Sequence, residues 1–115
     1  MAPTPKRSKY GAVKTVVDNI TFASKREAAR YCELKVLERA GEIRDLRLQP
    51  SFEIIPAVEL DGKKQRATKY IADFCFLDAD GVMVYEDVKG HRTKEYILKR
   101  KLVKHVFGVE IREVR

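Results

Sequence analysis

The sequence is poor in cysteine, has no tryptophan, and contains no long apolar run. Its two cysteines, Cys32 and Cys75, are too few for a disulfide framework and are not spaced as metal ligands. We therefore expect reduced thiols and a cytoplasmic location. No apolar stretch approaches the roughly 20 residues that cross a membrane, and the polar N-terminus lacks the apolar segment of a secretory signal. The 115 residues are enough for one domain, and we expect no membrane partner.

Acidic residues are scarce relative to basic ones, 17 against 24, which gives a formal net charge of +7 at pH 7. Residues 1–14 contain four basic residues and no acidic one, and residues 91–105 contain six basic residues and one acidic one. Clustered cations are typical of nucleic-acid binding, although a solubilising surface has the same composition. The side chains that we predict to contact phosphates are Lys6, Arg7, Lys9, Lys14, Arg92, Lys94, Lys99, Arg100, Lys101 and Lys104.

The local patterns predict a single α/β domain over residues 13–115, after a flexible basic arm over residues 1–12 that contains two prolines and a glycine. Alternating apolar residues predict short strands before the first helix, around residues 52–54, within residues 70–89 and at the C-terminus. Residues 61–69, DGKKQRATK, are predicted to form a polar loop that starts with a turn. Helices before and after the central strands favour a mixed sheet covered by helices.

Two helices are predicted. The first begins after the N-cap Ser24, whose capping box is completed by Glu27, and it ends near Gly41. At 100° per residue, one sector of this helix collects apolar residues around Glu33 and is expected to face the core; its apolar members are Ala29, Leu34, Val36, Leu37 and Ala40. The second helix, at about residues 93–106, is basic and amphipathic.

The most strand-like segment, YIADFCFLDADGVMVYEDVKG at residues 70–90, contains charged residues that a hydrophobic core excludes. Side chains alternate along a strand, so Asp87 and Lys89 share a face, and pairing of the two strands brings Asp73 beside Asp87. A carboxylate among apolar strand residues is costly unless it is paired or binds a ligand. Two adjacent carboxylates favour a hard cation, and a neighbouring lysine can hold a phosphate oxygen. A surface salt bridge between Asp87 and Lys89 is the alternative.

Asp73, followed by Asp87, Val88 and Lys89, resembles the signature of the PD-(D/E)XK nuclease superfamily, in which an acid and an acid-x-lysine group lie on adjacent strands. Beyond this signature, most of the chain is similar to a family of short phage and prophage proteins of unknown function. That similarity includes YIADF, YEDVKG and YILKRKLVKHVFGVEIREV. The order of an S-x-x-E helix, a D-F pair and an acid-x-lysine group also resembles phage junction-resolving endonucleases and the cleaving subunit of a heteromeric transposase.

The resemblance implies a restriction-endonuclease-like α/β core, with a mixed central β-sheet flanked by helices. It implies an enzyme that hydrolyses DNA phosphodiester bonds with Mg²⁺ or Mn²⁺ as the cofactor. Branched DNA, such as a recombination junction, is the expected substrate, and cutting two strands implies a homodimer. If the protein is encoded by a phage, its location is the cytoplasm of the host cell. A non-catalytic basic nucleic-acid-binding module with a nuclease-like fold is the alternative.

The resemblance also assigns roles to the residues of the signature. Asp73 and Asp87 are the expected metal ligands, and the backbone carbonyl of Val88 joins them. Lys89 is expected to act on the attacking water and on the scissile phosphate. A salt bridge on a strand needs no function, so these roles depend on the order and context of the residues rather than on the short motif.

A glutamate from the first helix completes the site in many members of the superfamily. Glu27 occupies the S-x-x-E position and is the first candidate, although its capping box accounts for it equally well. Glu33 is the reserve candidate because it lies in the predicted apolar sector, or else it is an edge residue paired with Arg30 or Lys35. Gln49 matches a glutamine of the transposase-like relatives and is expected to bind an active-site water, or else it is only a polar residue at the start of a strand.

Overall fold

The computed structural model describes residues 13–115, and in this part of the chain it contains two helices and ten strands. The helices are α1 (Lys25–Arg39) and α2 (Lys94–Phe107). The strands are β1 (Thr15–Val17), β2 (Ile20–Phe22), β3 (Arg44–Leu48), β4 (Ser51–Ile55), β5 (Val58–Leu60), β6 (Lys63–Gln65), β7 (Thr68–Ile71), β8 (Phe74–Leu77), β9 (Met83–Val88) and β10 (Arg112–Val114). The basic arm predicted for residues 1–12 lies outside the described residues.

Both helices begin and end with the capping residues that local chemistry favours. The Ser24 hydroxyl accepts a hydrogen bond from the Glu27 backbone N–H at 3.1 Å, and Gly41 follows α1 with a φ of 78°. The Thr93 hydroxyl caps α2, which ends at Gly108 with a φ of 70°. No helix among the described residues is long and apolar enough to cross a membrane.

The face that α1 buries differs from the predicted one. Its buried side chains are Ala28, Tyr31 and Leu34, whereas Val36 is 60% exposed. Alanine and tyrosine contribute weakly to an apolar pattern, so this i, i+3 spacing was hidden in the sequence. Glu33 consequently lies on the solvent side, with 62% of its side chain exposed, and its predicted place within an apolar sector is wrong.

The central sheet has four strands in the order β10-β9-β8-β3. β10 runs parallel to β9, and the other two pairs are antiparallel, so the sheet is mixed. The DADG sequence closes the β8–β9 hairpin, in which Phe74 lies opposite Glu86. The prediction of an α/β fold with a mixed central sheet is confirmed.

Two long antiparallel strands run through the molecule, and each is interrupted once. β3 and β4 are separated at Gln49, whose φ is 53°, and β7 and β8 are separated at Ala72 and Asp73. Backbone hydrogen bonds bridge both interruptions. The Gln49 N–H donates to the Asp73 carbonyl at 2.9 Å, and the Ala72 N–H donates to the Pro50 carbonyl at 3.0 Å. The pairing therefore continues across a local irregularity of the kind that redirects side chains.

The interruption changes the core against which the strand packs. Tyr70 and Ala72 are buried in a cluster that includes α2, whereas Phe74 and Phe76 are buried in a cluster that includes α1. Residues two apart on a regular strand share a face, so the break at Ala72 reverses the buried face. The α1 cluster is formed by Phe22, Ala28, Tyr31, Leu34, Ile43, Phe74 and Phe76. The α2 cluster is formed by Phe52, Ile54, Tyr70, Ala72, Tyr96, Val103 and Ile111.

Residues 51–71 form a two-stranded extension of the sheet, which we call the β-ribbon. β4 pairs with β7 and β5 pairs with β6, with Asp61 and Gly62 at the tip. The polar loop predicted for residues 61–69 is therefore wrong beyond the turn, because these residues form β6 and the start of β7. Both faces of β6 are exposed, so its sequence lacks the apolar alternation that identifies a half-buried strand.

A buried ion pair joins α1 to the central sheet. Glu86, in β9, is fully buried, and both of its carboxylate oxygens accept hydrogen bonds from Arg30 at 2.9 and 2.7 Å. Arg112, in β10, donates a further hydrogen bond to Glu86. Burial raises the pKa of the Glu86 carboxyl, but the two arginines outweigh burial and hold this pKa below its ordinary value. Three elements are thus joined by one carboxylate.

We expect Glu86→Gln to lower the free energy of unfolding by about 3 kcal/mol at pH 7, because removal of one member of a buried ion pair leaves the other uncompensated. Urea denaturation measures this loss. A carboxyl with a lowered pKa stabilises the fold above its unfolded pKa, and that contribution disappears as the pH falls through the folded pKa. The difference between Glu86→Gln and the wild type should therefore shrink below about pH 4.5. Glu33→Gln, which removes only the exposed Arg30 pair, should cost at most about 1 kcal/mol. Equal losses in the two variants would contradict this prediction.

Candidate active site

Three of the predicted site residues meet at the interruption between β7 and β8. Asp73 lies in the break, Asp87 lies one residue before the end of the neighbouring β9, and Lys89 follows that strand. The Asp73 backbone N–H donates to the Glu86 carbonyl at 3.0 Å, which sets Asp73 beside Asp87. Glu27, in the first turn of α1, approaches the same point and is hydrogen-bonded to Asp73.

Asp73 is the middle member of this carboxylate cluster. One of its oxygens, Oδ2, accepts a hydrogen bond from the Val88 backbone N–H at 2.7 Å. Burial raises the pKa of Asp73 to about 8, and the hydrogen bond that the protonated carboxyl donates to Asp87 adds to this rise. Burial also raises the pKa of Glu27 despite its hydrogen bond with Asp73. The cluster therefore retains a proton at a pH at which exposed carboxyls are ionised.

Asp87 is almost completely buried, at 2% exposure, and two other side chains hold it. The Tyr70 hydroxyl donates a hydrogen bond to Asp87 Oδ2, and Lys89 Nζ lies 3.3 Å from Asp87 Oδ1. Burial, followed by this hydrogen bond, raises the pKa of Tyr70. Tyr70 was not among the predicted site residues, because on a regular strand it and Asp73 would face opposite sides.

Lys89 is held by an aromatic ring as well as by a carboxylate. Its ammonium lies 4.2 Å from the centroid of the Tyr96 ring, a distance typical of a cation–π contact. The Tyr96 hydroxyl donates a hydrogen bond to Glu113 at 3.0 Å, which anchors the ring. A quarter of the Lys89 side chain remains exposed, so its ammonium is accessible from solvent. Tyr96 was not among the predicted site residues.

The remaining candidates are separated from the cluster or reach it through the backbone. Glu33 forms an exposed ion pair with Arg30 at 2.9 Å, and so the reserve role predicted for it is not supported by its position. The Gln49 side chain is exposed, and the described contact of Gln49 with the site is its backbone hydrogen bond to Asp73. Val88 contacts Asp73 through its amide rather than through the carbonyl named as a metal ligand.

The donor atoms of the cluster suit a hard divalent cation. Among the described residues, no three side chains of His, Cys, Asp or Glu are already arranged around one point as metal ligands. Mg²⁺ is commonly bound through only one or two carboxylates, with water and substrate phosphate completing its coordination. Asp73 and Asp87 offer two such carboxylates, and a cation in place of the proton that Asp73 retains would relieve their repulsion.

The predicted phosphate-binding residues are divided between free and engaged side chains. Lys14, Lys94, Lys101 and Lys104 are exposed, whereas Lys6, Arg7 and Lys9 lie outside the described residues. Three other predicted residues make intramolecular contacts: Arg92 pairs with Glu113 at 3.0 Å, Arg100 binds Glu113 and the Ile111 carbonyl, and Lys99 pairs with Glu95 at 2.9 Å. The ammonium of Lys99 is therefore directed to its own helix. The exposed lysines of α2 form a basic outer surface on this helix.

In the absence of divalent cations, we expect the protein to lose stability as the pH rises from about 4 to 8. The folded Asp73 binds its proton more tightly than the unfolded residue, whose pKa is 3.8, so the folded state holds more protons within this window. The urea concentration at the unfolding midpoint, measured in EDTA across this range, should therefore fall as the pH rises. It should fall less steeply for Asp73→Asn than for the wild type. The exposed Asp80→Asn serves as the control and should keep the wild-type slope. Parallel slopes for Asp73→Asn and the wild type would exclude the shared proton.

The comparisons with known proteins identify a family without a known activity. A family model described as "Protein of unknown function (DUF1064)" matches residues 7–115. None of the curated proteins and none of the solved structures matches the chain. Because the family model covers nearly the entire sequence and includes every residue of the carboxylate cluster, the protein belongs to the DUF1064 family.

Proposed function

We propose that the protein is a metal-dependent DNA endonuclease of the PD-(D/E)XK type, which hydrolyses phosphodiester bonds with Mg²⁺ or Mn²⁺. One observation carries this proposal: Asp73, Asp87 and Lys89 lie together at the ends of adjacent strands, and Glu27 approaches them from the first turn of α1. A structural role does not account for three neighbouring carboxyls, of which burial raises the pKa of both Glu27 and Asp73. A cation site does account for them.

Asp73 and Asp87 would hold the metal ion, with Glu27 as a further ligand or as an acceptor for bound water. When bound, the cation would polarise the scissile phosphate and lower the pKa of a coordinated water. The Tyr70 hydrogen bond fixes the orientation of Asp87, and the Val88 amide fixes that of Asp73. These contacts preorganise the two carboxylates, which reduces the reorganisation that metal binding requires.

Lys89 is the group that we expect to act on the phosphate. Asp87 and the Tyr96 ring hold its ammonium from two sides, and its exposed part is open to substrate. Negative charge develops on the phosphate oxygens in the transition state, and a fixed cation in a partly desolvated site stabilises this state more than the ground state. Lys89 also offers a proton-transfer group for the attacking water.

The substrate is proposed to be DNA of particular shape rather than of particular sequence. The free cations of α2 provide contacts to phosphates, which determine affinity but carry no sequence information. Branched DNA of the recombination-junction type suits a single small domain, and a homodimer would supply two sites for two strands. Both cysteines are free thiols, as expected for a protein of a host-cell cytoplasm.

Lys89→Ala should reduce single-turnover cleavage by about two orders of magnitude or more, because removal of one electrostatic stabiliser typically has this effect. DNA affinity should change little, since many basic residues remain. Lys89→Arg should restore only part of the rate, because a guanidinium does not give up a proton. The measurement is a rapid-quench time course at saturating protein on linear, flapped and four-way DNA with Mg²⁺, alongside a binding titration.

Lys35→Ala is the matched control. It removes the same charge from a lysine that pairs with Glu38 instead of Asp87, so its cleavage rate should stay near that of the wild type. Wild-type cleavage by Lys89→Ala would exclude the proposed role of this residue. Binding without cleavage by the wild type on all of these DNAs, with either Mg²⁺ or Mn²⁺, would instead support a non-catalytic binding module.

A further inference from the structure

The outer half of the β-ribbon is exposed on all sides. Every residue from 55 to 66 is exposed, and β5 and β6 contact each other but no other described element. Asp61 and Gly62 both have positive φ, 52° and 73°, as a two-residue hairpin turn of type I′ requires. This outer half is thus a regular structure in which β5 and β6 pair with each other, although it buries almost nothing against the domain.

The ribbon carries cations that have no partner within the described chain. The ribbon, residues 51–71, contains four basic and three acidic side chains, and none of the basic ones, Lys63, Lys64, Arg66 and Lys69, enters an ion pair among residues 13–115. Elsewhere in the described chain, several basic residues are paired, as Arg30, Lys35 and Arg100 are. The free cations of the ribbon form a second basic surface, separate from α2.

The register of the ribbon places an apolar pair next to one of these cations, Lys63. Val58 lies opposite Gln65 and Leu60 lies opposite Lys63, so these four side chains share one face. Val58 and Leu60 are 42% and 59% exposed. A face of this composition suits a groove of duplex DNA, where sugars and thymine methyl groups contact apolar side chains and phosphates contact ammonium groups. The major groove of B-DNA is wide enough for a two-stranded ribbon.

The open edges of the ribbon disfavour pairing with a second copy of the chain. Natural sheets protect exposed edges with proline and lysine. Pro56 follows β4, and Lys63 and Lys64 occupy β6. The two lysines that obstruct strand addition also supply charge for a polyanion, and the chain as a whole has a net charge of +7. DNA is therefore favoured over self-association as the partner of this surface.

The length of the ribbon relates its tip to the carboxylate cluster. Lys63 and Arg66 precede Asp73 by ten and seven positions, and a strand advances about 3.3 Å per residue, so their backbones lie at most roughly 23 to 33 Å from it. One turn of B-DNA measures about 34 Å. We propose that the β-ribbon lies in a groove of duplex DNA up to about one helical turn from the scissile phosphate, and that it thereby selects substrates with an uninterrupted duplex arm. This inference rests on the proposed nuclease function.

The test compares Lys63→Ala/Arg66→Ala with Arg39→Ala/Arg44→Ala, which removes the same charge from exposed positions on α1 and β3. Anisotropy titrations in EDTA use linear duplexes of increasing length, from about one to about two helical turns. The wild type should gain affinity with length until the ribbon is engaged, and the ribbon variant should lose this gain. Its slope of log affinity against log salt should also fall by about two units, one for each lost phosphate contact. The control should retain the length dependence.

Wild-type affinity, length dependence and salt slope in the ribbon variant would overturn the proposal. The proposal would also be overturned if, without DNA, the wild type sedimented as a dimer and the ribbon variant sedimented as a monomer. The ribbon would then be a self-association surface. A failure of the proposed nuclease function would give a different pattern of results from a failure of the ribbon proposal. If the wild type does not cleave any DNA but its binding without metal depends on the ribbon and on duplex length, the ribbon proposal stands and the catalytic proposal does not.

Discussion

The change of face at Ala72 and Asp73 is the constraint on which the rest of the structure depends. One strand supplies Tyr70 to the core against α2 and Phe74 to the core against α1, which a regular strand cannot do with residues four apart. The two cores that flank the sheet are therefore joined through this break. The same irregularity brings both the Tyr70 hydroxyl and the Asp73 carboxyl to Asp87. Packing and site geometry thus follow from one local feature.

Two consecutive buried carboxylates, Glu86 and Asp87, lie on the two faces of β9 and have different partners. Glu86 faces Arg30 and Arg112, which hold its pKa below the ordinary value even though burial opposes them. Asp87 faces Tyr70 and Lys89, and its neighbour Asp73 has a raised pKa because burial and Asp87 outweigh the amide that binds it. The first arrangement supplies its own positive charge and stabilises the fold. The second is short of positive charge, and this shortage is the physical basis for proposing a cation there.

The sequence predicted those parts of the site that depend on local rules. Strand alternation and the DADG turn were enough to place Asp73 beside Asp87, and the S-x-x-E motif directed attention to Glu27. Tyr70 and Tyr96 were missed because their contacts with Asp87 and Lys89 depend on tertiary packing and on the reversal at Ala72.

The parts of the fold that depend on local rules were likewise predicted from the sequence, whereas the parts that depend on tertiary packing or lack a periodic pattern were not. The boundaries of α1 followed from Ser24 and Gly41, but the buried face of α1 depended on Ala28 and Tyr31, whose apolar signal is weak. The outer part of the β-ribbon was missed because both of its faces are solvated, which removes the period-two pattern of a half-buried strand. Backbone pairing, not burial, maintains this part of the chain.

Crystals grown at pH 8 with Mn²⁺, measured above and below the manganese absorption edge, would show directly whether Asp73 and Asp87 bind a divalent cation. We expect an anomalous difference peak between the carboxylates of Asp73 and Asp87 in the wild type, and its loss in Asp73→Asn crystals of the same form. Manganese bound only elsewhere, with these two carboxyls still hydrogen-bonded to each other, would contradict this expectation.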